Sequence, residues 1–292
     1  MAKQSIVTLS DGVNILVRLL GESEDRTKPL LIVLHGGPGL SSHVEPENSF
    51  GFLASRFRVL VYDARGSGVS DSKPPLTDER WIADLEELRQ WAGEEKFILA
   101  GGSYGGSLGI GYTLTHPEHV TALILRDTWA NGFRGTLRVM DTIARSTEIT
   151  TDRAQQLRLW SGTLRDNADF EKSVADILPI YTAKRQGVVP GSGDRAFENV
   201  KTPYQYHFET HNAAFSYNEP RLDVRSRLRE IKVPTLVIVG RHDPVTPVED
   251  AQEIHAGIDG SVLAIFENSG HSPPSEEPEL FQKTLWDFLN KL

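Results

Sequence analysis

Compact apolar runs recur along the chain, and each one ends in a glycine-rich or acidic turn. The runs begin at Leu30, Phe57, Lys96, Thr121, Thr235 and Ser261. Short runs of β-prone residues without polar alternation are typical of strands that are buried on both faces. Near the amino terminus, segments 5–9 and 13–20 flank a Ser-Asp-Gly turn, which predicts an antiparallel hairpin at one sheet edge.

Helical periodicity separates these apolar runs. The segment 77–92 begins at Thr77, a capping residue, and ends before Gly93, a helix stop signal. Its apolar positions fall on one helical stripe: Trp81, Leu85, Leu88 and Trp91. Further helices are predicted over 104–114 and 278–291. The alternation predicts an α/β fold with a mostly parallel central sheet flanked by helices on both faces.

Between residues 131 and 230 the alternation stops, and the sequence is typical of helices and loops. We therefore predict a helical lid that is inserted into one sheet domain. The first part of the core is predicted over 1–130, the lid over 131–230 and the second part of the core over 231–292.

The strongest local motif is GGSYGG at 101–106, which places Ser103 between a predicted strand and a predicted helix. This is the context of a nucleophile elbow, in which the serine projects its Oγ out of the sheet. A glycine-rich turn without chemistry is the alternative. A serine nucleophile requires a base, so the elbow predicts an acid and then a histidine later in the chain.

Asp243 and His271 satisfy that order, and each follows a predicted strand. The carboxyl ends of parallel strands gather the active site in such sheets. His271 would accept the Ser103 proton, and Asp243 would orient the imidazole and stabilise its charged form. Asp127, at the end of the strand 121–127, is the rival acid. The rival bases have weaker contexts: His35, His116 and His242.

Two backbone N–H groups are predicted to bind the oxyanion of the tetrahedral intermediate. One belongs to Tyr104, at the start of the helix after Ser103. The second is assigned to Gly37, because HGGPG at 35–39 offers bare backbone after a strand.

Composition narrows the possible partners. The net charge of −9, without a basic stripe, disfavours nucleic acid. We expect no membrane association and a cytoplasmic location, because apolar runs are short and the first residues lack a signal-peptide pattern. The chain has no cysteine, and its nine histidines lack metal-site spacing, so no metal is expected.

Together, the motifs resemble those of the prolyl iminopeptidase family of α/β-hydrolases. They are HGGPG at 35–39, DARGSGVS at 63–70, GGSYGGSLG at 101–109, LILRD at 123–127 and VGRHDPVTP at 239–247. The resemblance implies a lid between the sixth and seventh strands and release of an amino-terminal residue, often proline, from small peptides. It also implies that no cofactor is needed and that Asp63 and Arg65 form a structural turn.

Family members that act as aminopeptidases hold the substrate amine with two acids, one in the lid and one directly after the triad aspartate. The second position here is Pro244, which carries no charge. The lid candidate is Glu209, and Glu219 is a weaker choice. Asp127, where the family usually has glycine, is a candidate replacement anchor or a cap of the next turn.

Glu209 lies in an aromatic stretch, 204–211, in which Tyr206 and Phe208 are candidates to line an apolar substrate pocket; ordinary lid packing is the alternative. The resulting prediction is a serine hydrolase that acts through an acyl-enzyme on a small amide or short peptide. A small-molecule esterase, lactonase or amino-acid amidase is the first alternative. A catalytically silent ligand-binding relative is the second.

Overall fold

The computed structural model describes residues 2–21, 27–183 and 205–292. One sheet of eight strands runs through it in the order β1-β2-β4-β3-β5-β6-β7-β8. The strands are β1 (Lys3–Thr8), β2 (Asn14–Leu20), β3 (Leu30–Leu34), β4 (Arg58–Tyr62), β5 (Phe97–Gly102), β6 (Val120–Arg126), β7 (Thr235–Gly240) and β8 (Val262–Phe266).

The sheet is antiparallel at one edge and parallel elsewhere. β1 pairs with β2, and β2 pairs with β4, in antiparallel registers that align Lys3 with Leu19 and Val17 with Tyr62. The remaining neighbours are parallel. The predicted amino-terminal hairpin and mostly parallel sheet are confirmed.

The helices in the described ranges alternate with these strands. They are α1 (Val44–Phe50), α2 (Asp78–Ala92), α3 (Tyr104–Thr115), α4 (Gly132–Arg145), α5 (Arg153–Ser161), α6 (Asn167–Ala175), α7 (Phe208–Ala213), α8 (Val248–Gly257), α9 (Pro273–Glu276) and α10 (Pro278–Leu289). Within the described part of the chain, none of them is long and apolar enough to cross a bilayer.

Helix α2 has the predicted ends, but one predicted core residue is wrong. The Thr77 hydroxyl accepts the Arg80 N–H, and Gly93 ends the helix in a left-handed conformation with φ 73°. Trp91, however, is 43% exposed. The buried stripe continues from Leu88 to Ala92 instead, because a spacing of four residues keeps a side chain on the same helical face.

Helices cover both faces of the sheet. One apolar layer contains Leu85 of α2, Ile110 of α3 and Ile254 of α8. The layer on the opposite face contains Phe50 of α1 and Phe281 of α10. The strands between them are buried on both sides, which explains their apolar runs.

The segment between β6 and β7 contains helices α4 to α7 and short turns in its described residues. The name lid is used below for residues 131–183 and 205–230. A third apolar cluster joins the lid to the core, because Trp160 and Phe215 of the lid pack with Tyr104. The domain boundaries at 131 and 230 stay a prediction. Tyr204, in the predicted aromatic stretch, lies outside the described residues.

Candidate active site

Ser103 occupies a strained turn between β5 and α3. Its backbone adopts φ 53° and ψ −127°, a region that few non-glycine residues enter. Close backbone packing requires glycine on both sides of it. A Cβ on Gly101 would lie 2.3 Å from the Gly105 carbonyl oxygen, and one on Gly105 would lie 2.4 Å from the His35 carbonyl oxygen. The predicted strand-turn-helix context of Ser103 is thus present.

Asp243 and His271 form a hydrogen-bonded pair on the loops that follow β7 and β8. Oδ2 of Asp243 lies 2.8 Å from Nδ1 of His271. The other carboxylate oxygen accepts N–H groups from Val245 at 2.8 Å and Thr246 at 3.0 Å. The Thr246 hydroxyl also donates to Oδ2 at 2.6 Å. The Asp243 carboxylate therefore has a fixed orientation toward the imidazole.

The His271 imidazole is buried, and its neighbours favour the protonated form. Burial by itself lowers the pKa of His271, but the negative charge and the hydrogen bond of Asp243 outweigh burial and raise it. The ring of Tyr181 packs edge-on at a centroid distance of 5.3 Å, and the Tyr181 carbonyl oxygen accepts the His271 N–H at 2.7 Å.

Ser103 and His271 line the same cavity, which has a volume of about 370 Å³. Gly37 also lines this cavity and adopts φ 40°. Tyr104 is the first residue of α3, where backbone N–H groups lack an acceptor within the helix. Its side chain is directed elsewhere, since its hydroxyl donates to Oδ1 of Asp78 at 2.6 Å. The oxyanion roles of Gly37 and Tyr104 remain predictions.

Asp127 is placed differently from the catalytic and amine-binding roles that the sequence suggested for it. Its side chain is fully buried, and Oδ1 accepts the Gly240 N–H at 3.0 Å. The acid that is hydrogen-bonded to His271 is Asp243, so the structure gives no support to Asp127 as the rival triad acid. It gives none to Asp127 as an amine anchor either, because both carboxylate oxygens already have partners in the Gly240 N–H and Arg126.

The rival histidines have other contacts. Nε2 of His35 accepts the Ala64 N–H at 3.0 Å, and His116 packs its ring against Tyr112 at 4.8 Å. His242 is exposed. Of these four histidines, His271 is the one that lines the Ser103 cavity.

The candidates in the aromatic stretch take part in lid packing. Tyr206 packs edge-on against Phe170 at a centroid distance of 5.4 Å, and Phe208 belongs to the apolar cluster of the lid. Glu209 is exposed on α7. Tyr206, Phe208 and Glu209 are not among the described residues that line the Ser103 cavity. The structure therefore places these three away from the cavity wall that was predicted for them.

Glu219, the weaker candidate, is buried at 1% exposure beneath the lid. Neither carboxylate oxygen has a well-formed hydrogen bond among the described residues. Burial raises the pKa of Glu219 well above its usual range and the negative charge of Asp78 raises it further, while the Trp129 side chain lies close enough to lower it. Burial likewise raises the pKa of Asp78 to about 6. Two acids with raised pKa values thus lie near Tyr104, the residue after Ser103.

Sequence reasoning missed two groups at the site. Thr246 holds the Asp243 carboxylate, and its place in the DPVTP motif was the available signal. Arg126 lines the cavity, donates to the His271 carbonyl oxygen at 3.3 Å and pairs with Glu45 of α1 at 2.6 Å. No sequence motif around Glu45 indicates its role, because α1 and β6 are far apart in the chain and meet only in the folded structure.

Comparison with known proteins agrees with this architecture. The profile described as alpha/beta hydrolase fold matches residues 29–278. Proline iminopeptidase PfmaB of Pestalotiopsis fici is 29% identical over 284 residues, which cover 96% of this chain and 98% of that protein. The proline iminopeptidase of Saccharolobus solfataricus is 30% identical over 297 residues, with coverages of 96% and 90%.

Among solved structures, an alpha/beta fold family hydrolase from Bacillus anthracis superposes with a TM-score of 0.77 and covers 99% of both chains. Its sequence identity is 21%, so this likeness shows the fold alone. The profile match and the relatives named proline iminopeptidase extend over nearly the whole chain. The protein is therefore a hydrolase that belongs to the prolyl iminopeptidase family of α/β-hydrolases.

Proposed function

We propose that this protein is a serine hydrolase that releases the amino-terminal residue of a short peptide or small amide through an acyl-enzyme. The observation that carries the proposal is the shared cavity of Ser103 and His271, with Asp243 hydrogen-bonded to the imidazole at 2.8 Å. The relatives named proline iminopeptidase support an amino-terminal residue as the substrate group. A cytoplasmic location stays a prediction.

In the proposed mechanism, the Ser103 Oγ attacks the scissile carbonyl carbon while His271 accepts the hydroxyl proton. The N–H groups of Gly37 and Tyr104 bind the oxyanion as it forms. His271 then gives the proton to the leaving amine, which leaves an acyl group on Ser103. Water attacks this ester while His271 accepts one of its protons; the bond between the acyl carbon and Ser103 Oγ then breaks, His271 returns the proton to Oγ, and the released residue leaves as the free acid. Asp243 stabilises the imidazolium in both halves of the reaction.

We assign the substrate amine to Glu219 in place of Glu209, although neither is among the described residues that line the Ser103 cavity. A buried carboxylate without a well-formed hydrogen bond is unfavourable, and a cationic partner would satisfy it. Asp78 adds negative charge on the same side of Tyr104. An ammonium group from the substrate is the cation that a hydrolase of this family would meet. The exposed Glu209 has no comparable need for a partner.

A neutral ester, lactone or amide is the second candidate substrate. The observation that favours it is Pro244, which leaves the position after Asp243 without charge. In that case Glu219 would stay protonated and would take no part in binding.

The deciding assay compares three compounds: proline β-naphthylamide, its N-acetylated form and a short-chain nitrophenyl ester. Cleavage of the unmodified amide alone supports the aminopeptidase, whereas preference for the ester or the acetylated amide supports the second candidate. Ser103→Ala should abolish all cleavage. Ser107→Ala is the matched control, because Ser107 is a buried serine on the same helix that bonds to the Trp129 carbonyl oxygen.

Substitution of the two lid acids separates the amine assignments. Glu219→Gln should raise KM for the unmodified amide roughly tenfold or more, the usual loss for a hydrogen bond to a charged group. Glu209→Gln should leave KM unchanged; the reverse result would return the amine to Glu209. If a fluorophosphonate fails to label Ser103, the protein is a silent relative and the proposed catalysis is wrong.

A further inference from the structure

Asp127 has a left-handed backbone conformation, which strains a non-glycine residue even though aspartate enters it more readily than most. It follows β6 with φ 47°, in the left-handed region, and its side chain is fully buried. Glycine would adopt this conformation without strain. Strain of this kind persists where the surrounding structure maintains it, and it points to a role for the side chain.

The Asp127 carboxylate is bonded at the point where the two catalytic loops meet. Oδ1 accepts the N–H of Gly240, the last residue of β7, three positions before Asp243. Gly240 in turn abuts the loop that carries His271, since a Cβ on Gly240 would lie 1.9 Å from the Gly270 carbonyl oxygen. One hydrogen bond therefore positions the backbone beside both Asp243 and His271.

Arg126 provides a second connection. Its Nη1 lies 3.3 Å from Oδ2 of Asp127 and also donates to the His271 carbonyl oxygen at 3.3 Å. Its Nη2 donates to Glu45 at 2.6 Å. Arg126 thus joins Asp127 to the backbone of His271, and Glu45 anchors the far side of the guanidinium.

The charged groups that face Asp127 are those of the triad and of Arg126. Burial and the charge of Asp243 raise the pKa of Asp127, Arg126 and His271 lower it, and the net result is a pKa of about 7. The ionised carboxylate in turn favours protonated His271. Protonation of Asp127 and protonation of His271 are therefore linked.

We propose that Asp127 is a positioning residue of the triad, which fixes the meeting point of the Asp243 and His271 loops and supports the imidazolium with its charge. This inference rests on the proposed function of Ser103, Asp243 and His271. Asp127 touches no substrate in this arrangement, so its effect should fall on kcat and on the pH profile.

The test uses two substitutions that remove different features of the Asp127 side chain. Asp127→Asn removes the charge but keeps an oxygen that can accept the Gly240 N–H. Asp127→Gly removes both the charge and the hydrogen-bond acceptor. Because glycine adopts this backbone conformation without strain, Asp127→Gly can be measured even if Asp127→Asn folds poorly. Asp250→Asn is the matched control: Asp250 is a buried acid of α8 whose pKa burial raises to about 6, and it pairs with Arg138.

Three measurements are made on each variant. They are kcat and KM for the cleaved substrate, the pH dependence of Ser103 labelling by a fluorophosphonate, and the NMR titration of the His271 imidazole. His271→Gln assigns the NMR signal. The titration is independent of turnover, so it reports on Asp127 even if the proposed substrate is wrong, and absent labelling of the native protein refutes the catalytic proposal separately.

In Asp127→Asn, kcat should fall about tenfold with little change in KM, the rate equivalent of one lost charge interaction. The pKa of His271 should fall, so the acidic limb of the labelling profile should move to lower pH. Asp127→Gly should lose more activity, and Asp250→Asn should match the native protein in all three measurements.

Two results would overturn the proposal. The first is a native pH profile and a native His271 titration in Asp127→Asn, which would reduce Asp127 to a structural residue. The second is loss of labelling in Asp127→Asn together with retained labelling in Asp243→Asn, which would make Asp127 the triad acid itself.

Discussion

Gly36 and Ser103 touch across two loops that are far apart in the chain. A Cβ on Gly36 would lie 2.9 Å from the Cβ of Ser103 and 3.2 Å from the Gly102 carbonyl oxygen. Real Cβ atoms rarely approach a neighbour so closely, and the two nearest atoms are a Cβ and a backbone oxygen, which cannot move aside like the end of a long side chain. The glycine in the HGGPG loop therefore determines where the nucleophile stands.

Substitution of Gly36 should impair catalysis more than folding. In Gly36→Ala the added methyl group should displace the Ser103 side chain, and a misplacement of about 1 Å lowers a rate by roughly a hundredfold. The measurement is the rate of fluorophosphonate labelling at equal thermal stability. Gly51→Ala is the control, because a Cβ there meets only the Leu20 side chain at 3.6 Å. Native labelling in Gly36→Ala would contradict the steric argument.

Thr246 should affect catalysis because its hydroxyl group holds the Asp243 carboxylate. Thr246→Val removes the hydroxyl that donates to Oδ2 of Asp243 at 2.6 Å, in a site that is otherwise unchanged. A hydrogen bond to a carboxylate contributes about 1.5 kcal/mol or more, so kcat/KM should fall about tenfold. Thr115→Val, which loses a hydroxyl bonded to helix carbonyls away from the cavity, serves as the control. Equal kinetics in the two variants would mean that backbone N–H groups suffice to hold Asp243.

Glu219 should make the native protein less stable as the pH rises. Its folded pKa is raised by burial, so the folded state binds a proton that the unfolded state releases near the ordinary value. The resulting stability is present at pH 4 and is lost as the pH rises through the raised pKa. In Glu219→Gln the unfolding free energy should fall less steeply between pH 5 and pH 8.

Urea denaturation at several pH values measures this difference, with Glu209→Gln as the exposed control on the same lid. Glu219→Gln should lose activity toward the unmodified amine and should also be more stable than the native protein at pH 8. Both effects follow from removal of the buried Glu219 charge. If the unfolding free energy of Glu219→Gln changes with pH as steeply as that of the native protein, the Glu219 carboxylate has hydrogen-bond partners in solution.

Arg65 should stabilise the fold without acting in catalysis. Its guanidinium is fully buried and makes two 2.8 Å hydrogen bonds to Asp84. Removing one partner of a buried ion pair typically costs about 3 kcal/mol or more, so Arg65→Met should lower the unfolding free energy by about that amount. Arg145→Met removes an exposed pair with Asp141 and should cost little. A loss of kcat/KM in folded Arg65→Met would contradict the structural role that the family resemblance implies.

The sequence alone predicted the sheet and the order of its elements, and it proposed Ser103, Asp243 and His271 as a triad. These features depend on neighbours in the chain: apolar runs indicate buried strands, and glycines around Ser103 indicate a sharp turn. Helix α2 shows the limit of such patterns, since Trp91 and Ala92 were both compatible with the apolar stripe until packing selected the smaller residue.

Tertiary structure decided which acid meets the histidine. Asp127 and Asp243 both follow parallel strands, and β6 and β7 are neighbours in the sheet. No local pattern ranks the two, because the choice depends on how the loop after β7 turns Asp243 toward His271. Hydrogen bonds from Val245 and Thr246 hold Asp243 in that orientation, whereas the Gly240 N–H donates to Asp127 and directs the second acid to the backbone.

The burial of the lid acids could not be predicted for a similar reason. Glu209 is the second residue of α7, and the π-helical turn Ala214–Asn218 lies between it and Glu219. A π-helical turn shifts the phase of the helix, so a period of 3.6 residues does not predict which acid is buried. Local patterns determine which residue types are present at each strand end, whereas distances between loops depend on packing contacts among residues far apart in the chain.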